Sequence, residues 1–192
     1  MCSEPIGAEH EPGSGHAHMV DVETRALMCT CRPCYLLFAP RGAGGGRFKA
    51  VPERYRHAAS VPLAASTWEA IGIPVRMAFF FTNSAMGQTT AFYPSPAGAT
   101  ESLLPLDAWS ELLDATPTLA DIEPDVEALL VNKNDDGGFE CFAVPIDACY
   151  QLVGLVRTYW KGFDGGEEAW TAIDGFFADL RKFSEPVGAM HD

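Results

Sequence analysis

The sequence predicts an α+β protein: a mostly antiparallel sheet with helices packed on one face, preceded by a small cysteine-bearing hairpin at the N-terminus. Three observations carry that prediction. Four runs rich in β-branched and aromatic residues fall into two pairs, each joined by a polar turn. Two amphipathic patterns of helical period close the chain. Three cysteines stand as C-x-C-x-x-C at Cys29, Cys31 and Cys34, ahead of the larger part of the chain.

Taken in order, residues 1–18 are rich in Gly, Pro, Glu and His and read as loop. His18 to Glu23 alternates apolar and polar residues as a half-buried strand does, and Arg25 to Thr30 forms a second apolar stretch. Tyr35 to Phe38 reads as a short strand. Arg41 to Gly46 is a glycine-rich turn, and Arg47 to Val51 resumes the alternation. Ser66 or Thr67 caps a short helix that Gly72 and Pro74 stop.

Val75 to Thr82 and Gln88 to Tyr93 read as a hairpin at the centre of the sheet. Pro94 to Glu101 reads as a rigid loop, because proline fixes φ and removes a donor. Leu106 to Asp114 is a helix with Leu106, Trp109, Leu112 and Leu113 on one face. Glu127 to Asn132 and Phe139 to Val144 are strands joined at Asn134 to Gly138, a strong turn signal. Asp147 caps a helix to about Trp160. After the break at Gly162 to Gly166, Glu167 to Phe183 carries Trp170, Ile173, Phe176, Phe177 and Leu180 as its stripe.

Charge excludes whole classes of partner. The chain has 26 acids against 13 bases, a formal net charge of −13, which repels phosphate backbones and anionic lipid. No apolar run approaches the roughly 18 residues that span a bilayer. The N-terminus lacks a basic segment followed by an apolar one, so a cytoplasmic location is expected. Thiols stay reduced there, and six cysteines point to metal binding, redox chemistry or burial before disulfides.

Zinc takes four soft or borderline ligands, and a C-x-x-C turn supplies two of them. Cys31 and Cys34 form that turn around Arg32-Pro33, with Cys29, Cys2, His16 and His18 as the other candidate ligands. The expected arrangement is a zinc-ribbon-like appendage over residues 1–38 on an α+β body over 39–192. Two alternatives stay open: a small thiol-dependent redox enzyme using a Cys31–Cys34 dithiol, and a metal-free protein–protein interaction module whose cysteines only pack. A dithiol of that kind belongs between a strand and a helix start, and a strand at Tyr35 to Phe38 does not provide one. Cys141 and Cys149 read as core thiols, and Trp68, Trp109, Trp160 and Trp170 as core aromatics.

Other features carry less. Gly42 to Gly46 lacks the lysine and following helix of a phosphate loop. The Pro94 to Glu101 segment offers Ser95, Thr100 and Glu101 as a possible binding loop, or as a plain structural turn. A nucleophilic role for Ser95 would have to recruit His57 from afar. Asp135 and Asp136 mark a hairpin tip.

The stretches HMVDVETRALMCTCRPCYLLF, GAGGGRFKAVPERY, WEAIGIPVRMAFFF, AFYPSPAGATESLLPLDAW, PDVEALLVN and IDACYQLVGLVRTYWKGFDGG together resemble a family of uncharacterised bacterial proteins. That family is common in actinobacteria, and its genes often lie near those of uptake-type [NiFe]-hydrogenases. Its members tend to open with a C-x-x-C, whose second cysteine Cys2 matches. The resemblance implies a fold and a hydrogenase gene neighbourhood rather than a reaction. Together with the cysteine cluster it leads to the expectation of an accessory, partner-binding protein for hydrogenase assembly or operation.

Overall fold

The computed structural model describes residues 16–40, 42–102 and 106–187. It divides into two compact units, Met1–Glu53 and Arg54–Asp192. Cys2 and most of the expected N-terminal loop lie outside the described residues.

The first unit is built on a three-stranded antiparallel sheet. Strands β1 (His16–Asp21) and β2 (Ala26–Cys31) form a hairpin, and β3 (Phe48–Ala50) pairs with the free side of β1. Asp21 closes the hairpin turn: its Oδ1 accepts from the amides of Glu23 and Thr24 at 3.1 and 3.2 Å. The Arg47 guanidinium donates to Oδ2 through Nε and Nη2 at 2.9 and 2.5 Å.

Helix α1 (Arg32–Phe38) follows β2 without a loop. The expected strand at Tyr35 to Phe38 is therefore a helix. Pro33 sits in its first turn, where a missing amide costs nothing and a preset φ helps. The helix is tied down by Tyr35, whose hydroxyl donates to the Val51 carbonyl at 3.0 Å, and by Phe38 against Phe48 at 5.4 Å between ring centres. Gly44 lies so close to this aromatic pair that a Cβ there would sit 3.0 Å from the Phe48 ring.

The second unit holds a seven-stranded sheet. Its strands are β4 (Arg56–Val61), β5 (Met77–Asn83), β6 (Gln88–Ser95), β7 (Gly98–Ser102), β8 (Glu127–Lys133), β9 (Phe139–Pro145) and β10 (Glu185–Pro186). They lie in the order β10-β4-β9-β8-β5-β6-β7. Every pairing is antiparallel except the short parallel contact of β10 with β4. The middle strand is β8, not the β5–β6 hairpin expected there.

Helices cover both faces of this sheet, where one face was expected. Helix α2 (Ala65–Ile71) and helix α3 (Leu106–Ala115) contribute Trp68, Ile71 and Leu112 to a core with Ala78, Phe80, Leu129, Val131, Cys141 and Ala143. Helix α4 (Ile146–Tyr159) and helix α5 (Gly166–Phe183) close the chain, and the Phe177 ring of α5 meets Phe142 on the other face, 5.9 Å between centres. The physical reason was legible in β8 and β9. Their near-continuous apolar runs are buried on both sides, residue after residue, as strands between two helical layers are.

Strands β4 and β10 have no counterpart among the expected elements. β4 has the sequence RHAASV, with few β-formers, and is held by its pairing with β9 rather than by propensity. β10 spans only two residues. At α2 the expected cap is absent: Ala64 holds the N-cap position, and the Thr67 hydroxyl donates instead to Glu111 of α3. At α4 the cap position belongs to Pro145, with Asp147 in the first turn, where a carboxylate favours the positive end of the helix dipole.

Candidate functional site

The hairpin register brings four of the candidate ligands to one surface. His16 lies directly opposite Cys31, and His18 directly opposite Cys29. Directly opposed residues of an antiparallel pair share a face, and alternate residues along a strand do too. His16, His18, Cys29 and Cys31 therefore line the same side of β1 and β2. The two imidazoles meet edge to face, 5.2 Å between ring centres. Cys29 is exposed, while both histidines and Cys31 are half-buried.

Cys31 is also the N-cap residue of α1, with an extended backbone at φ −69° and ψ 155°. Cys34 follows one turn into the helix and is buried. A C-x-x-C that opens a helix can turn both thiols toward one metal ion or toward each other. The C-x-x-C thus stands between a strand and a helix start, the junction that the sequence reading had denied to it. Among the described residues, no set of three or more His, Cys, Asp or Glu side chains is grouped as a metal site requires. Cys2 falls outside them.

Residues 1–184 match a family described as one of unknown function, DUF5947. The chain belongs to that family. No curated protein and no solved structure matches it. The DUF5947 match spans the cysteine hairpin and nearly all of the second unit.

The segment from Pro94 to Glu101 in this DUF5947 chain is a β-hairpin, not a rigid loop. β6 and β7 pair as far as Ser95 opposite Gly98, leaving Pro96 and Ala97 as the turn. The Ser95 hydroxyl is used inside that turn. It donates to the Gly98 carbonyl at 2.9 Å and accepts from the Ala97 amide at 3.2 Å and the Thr100 hydroxyl at 2.9 Å. Glu101 is exposed, and it pairs in register with Phe92. His57 lies in β4, where its ring stacks on Phe142 at 4.3 Å.

Sequence reasoning missed the main charged cluster of the second unit. Glu140 of β9 is 3% exposed, yet both of its oxygens are engaged. Oε1 accepts from Asn132 at 2.8 Å and from Arg181 Nη2 at 2.6 Å. Oε2 accepts from Arg181 Nε at 2.9 Å and lies 3.1 Å from His57 Nε2. Burial alone would raise the carboxyl pKa, but the hydrogen bonds from Arg181, Asn132 and His57 outweigh it and hold it below the ordinary value. A second buried carboxylate, Glu127, is gripped by Arg54 through Nε and Nη2 at 2.6 Å each. The signal was present in FECFAV and EALLV: a lone Glu in a strand buried on both faces must carry its own donors. Both clusters are ion pairs that fasten helix to strand and loop to strand.

Proposed function

We propose that the chain is an accessory protein whose first unit is a thiolate metal module and whose role is to bind a protein partner. The resemblance implies [NiFe]-hydrogenase assembly or operation as the setting. One observation carries the metal reading: Cys31 and Cys34 bracket the first turn of a helix that grows directly from a hairpin, with His16 across the strand pair from Cys31. The donor chemistry fits zinc, which accepts thiolate and imidazole together. In this reading Cys31 and Cys34 supply two ligands, Cys2 a third, and His16 or His18 the fourth. Zinc bound there would lock the hairpin to α1 and give the first unit a fixed shape for recognition.

Elemental analysis of protein purified without chelator tests this. Near one equivalent of zinc is expected, and it should fall below a tenth of that in the Cys31→Ser, Cys34→Ser double variant. Protein that carries no zinc or iron would remove the proposal.

A second reading, a thiol-dependent redox enzyme, is favoured by the same strand-to-helix junction and by the contrast between half-exposed Cys31 and buried Cys34. In a dithiol of that kind the accessible thiol attacks and the inner one resolves. It predicts a Cys31–Cys34 disulfide that forms and reduces reversibly. Thiol counting across a glutathione redox series decides, since a metal module keeps both thiols reduced over the cytosolic range.

A further inference from the structure

The second unit carries an aromatic surface at the joint between α4 and α5. Trp160 to Gly166 form a closed loop in which Lys161 and Gly165 pair as a single antiparallel bridge. Gly162, Gly165 and Gly166 supply the positive φ angles of 69°, 90° and 74° that the reversal needs. At its tip Phe163 is 103% exposed. At its base Trp160 meets Trp170 edge to face, 5.6 Å between centres, and both are half-exposed rather than in the core where they were expected. Trp170 is held in place by its indole N–H, which donates to the Asp164 carbonyl at 2.8 Å, and by the Arg76 guanidinium 4.6 Å from its ring centre.

The exposure is built in. A Cβ on Gly165 would come 2.9 Å from the Trp160 ring, so the loop closes over that ring only because the position is glycine. Holding a whole phenylalanine in water forgoes the free energy of its burial. Tryptophan and tyrosine dominate the energetic centres of protein interfaces, and Tyr159 beside this loop is a further 39% exposed.

Charge says what fits. Asp164, Glu167 and Glu168 lie on the loop and the first turn of α5, all exposed. Asp135 and Asp174 reach Arg76 from the hairpin tip and from α5, and Glu168 engages Lys161, so both cations of the cluster are already matched. On a chain of net charge −13 the rings therefore sit beside surplus carboxylates. We infer that this surface docks a partner protein presenting an apolar pocket rimmed by lysine and arginine. Nucleic acid and anionic membrane are repelled by the same acids, and a second copy would set like charges face to face. The inference extends the partner-binding reading above to a named surface, and it lies outside the metal module.

A random peptide library displayed on phage is the probe, selected in parallel against the immobilised full chain and its Phe163→Ser variant. Because Phe163 is wholly exposed, the variant should melt with the parent by circular dichroism. The parent should enrich peptides with an aromatic or large aliphatic residue flanked by Lys and Arg. A synthetic copy of such a peptide should bind the variant at least tenfold more weakly. Enriched peptides without a basic excess, equal binding to the variant, or no enrichment at all would overturn the inference. So would a parent dimer in sedimentation that Phe163→Ser abolishes. Metal content of the same preparation separates the two proposals, since metal-free protein that still selects basic peptides removes the metal module alone.

Discussion

Arg181, in the last turn of α5, holds both oxygens of the buried Glu140 on β9, at 2.9 and 2.6 Å. This bidentate clamp fastens the final helix to the sheet beside the middle strand. Arg181 is itself 43% exposed in its side chain, so the pair has one wet and one dry partner.

Removing the wet partner should strand the dry one. Arg181→Ala leaves Glu140 with Asn132 and His57 alone, and is expected to cost about 2–3 kcal/mol, below the figure for a fully buried pair because solvent reaches the arginine. The urea midpoint of the full chain measures it. A loss under about 0.5 kcal/mol would show the clamp to be energetically idle.

In the first unit, hydrogen bonds from Arg47 and from the turn amides hold the Asp21 carboxyl at about 2, against an ordinary 3.8. A carboxyl depressed in the folded state stabilises it fully above the unfolded value and ceases to as pH falls through the folded one. The hairpin should therefore lose support between about pH 4 and pH 2. Arg47→Gln should move the Asp21 titration upward, followed by carbon NMR of its carboxyl. An unchanged titration in the variant would refute the assignment to Arg47.

Thiol reactivity should divide the cysteines by environment. Burial pushes the Cys141 and Cys149 thiols well above their ordinary range, and neither is accessible. In chelator-stripped native protein, iodoacetamide at pH 8 should label exposed Cys29 within minutes and leave Cys141 and Cys149 intact until urea unfolds the second unit. Peptide mass spectrometry reads the order. Early labelling of Cys141 would contradict its place in the core.

Gly165 offers a test of the aromatic loop. Gly165→Ala combines a φ of +90° with a Cβ 2.9 Å from the Trp160 ring. It should cost about 1–3 kcal/mol and shift tryptophan emission as the ring is displaced. Gly154→Ala is the control, because nothing lies within 4 Å of its Cβ and its substitution should be neutral or mildly stabilising.

Much of the architecture was legible residue by residue. The turn at Asn134 to Gly138, the stripe of Ile173, Phe177 and Leu180, and the buried thiols all stand where period and turn chemistry placed them. Tyr35 to Phe38 misled because four apolar residues fit a strand as well as one turn of helix, and only Pro33 in the preceding turn tipped the balance. Trp160 and Trp170 misled because helical spacing reports periodicity and not which side of the helix meets the sheet.

By itself, the sequence determined what is encoded locally: alternation, helical period, turn residues, a C-x-x-C and an acidic surface. Only the tertiary structure decided that helices cover both faces of the sheet, that His16 faces Cys31, and that Glu140 meets Arg181, His57 and Asn132. Those relations join residues far apart along the chain. Strand order and register set them, and no short window of sequence contains that information.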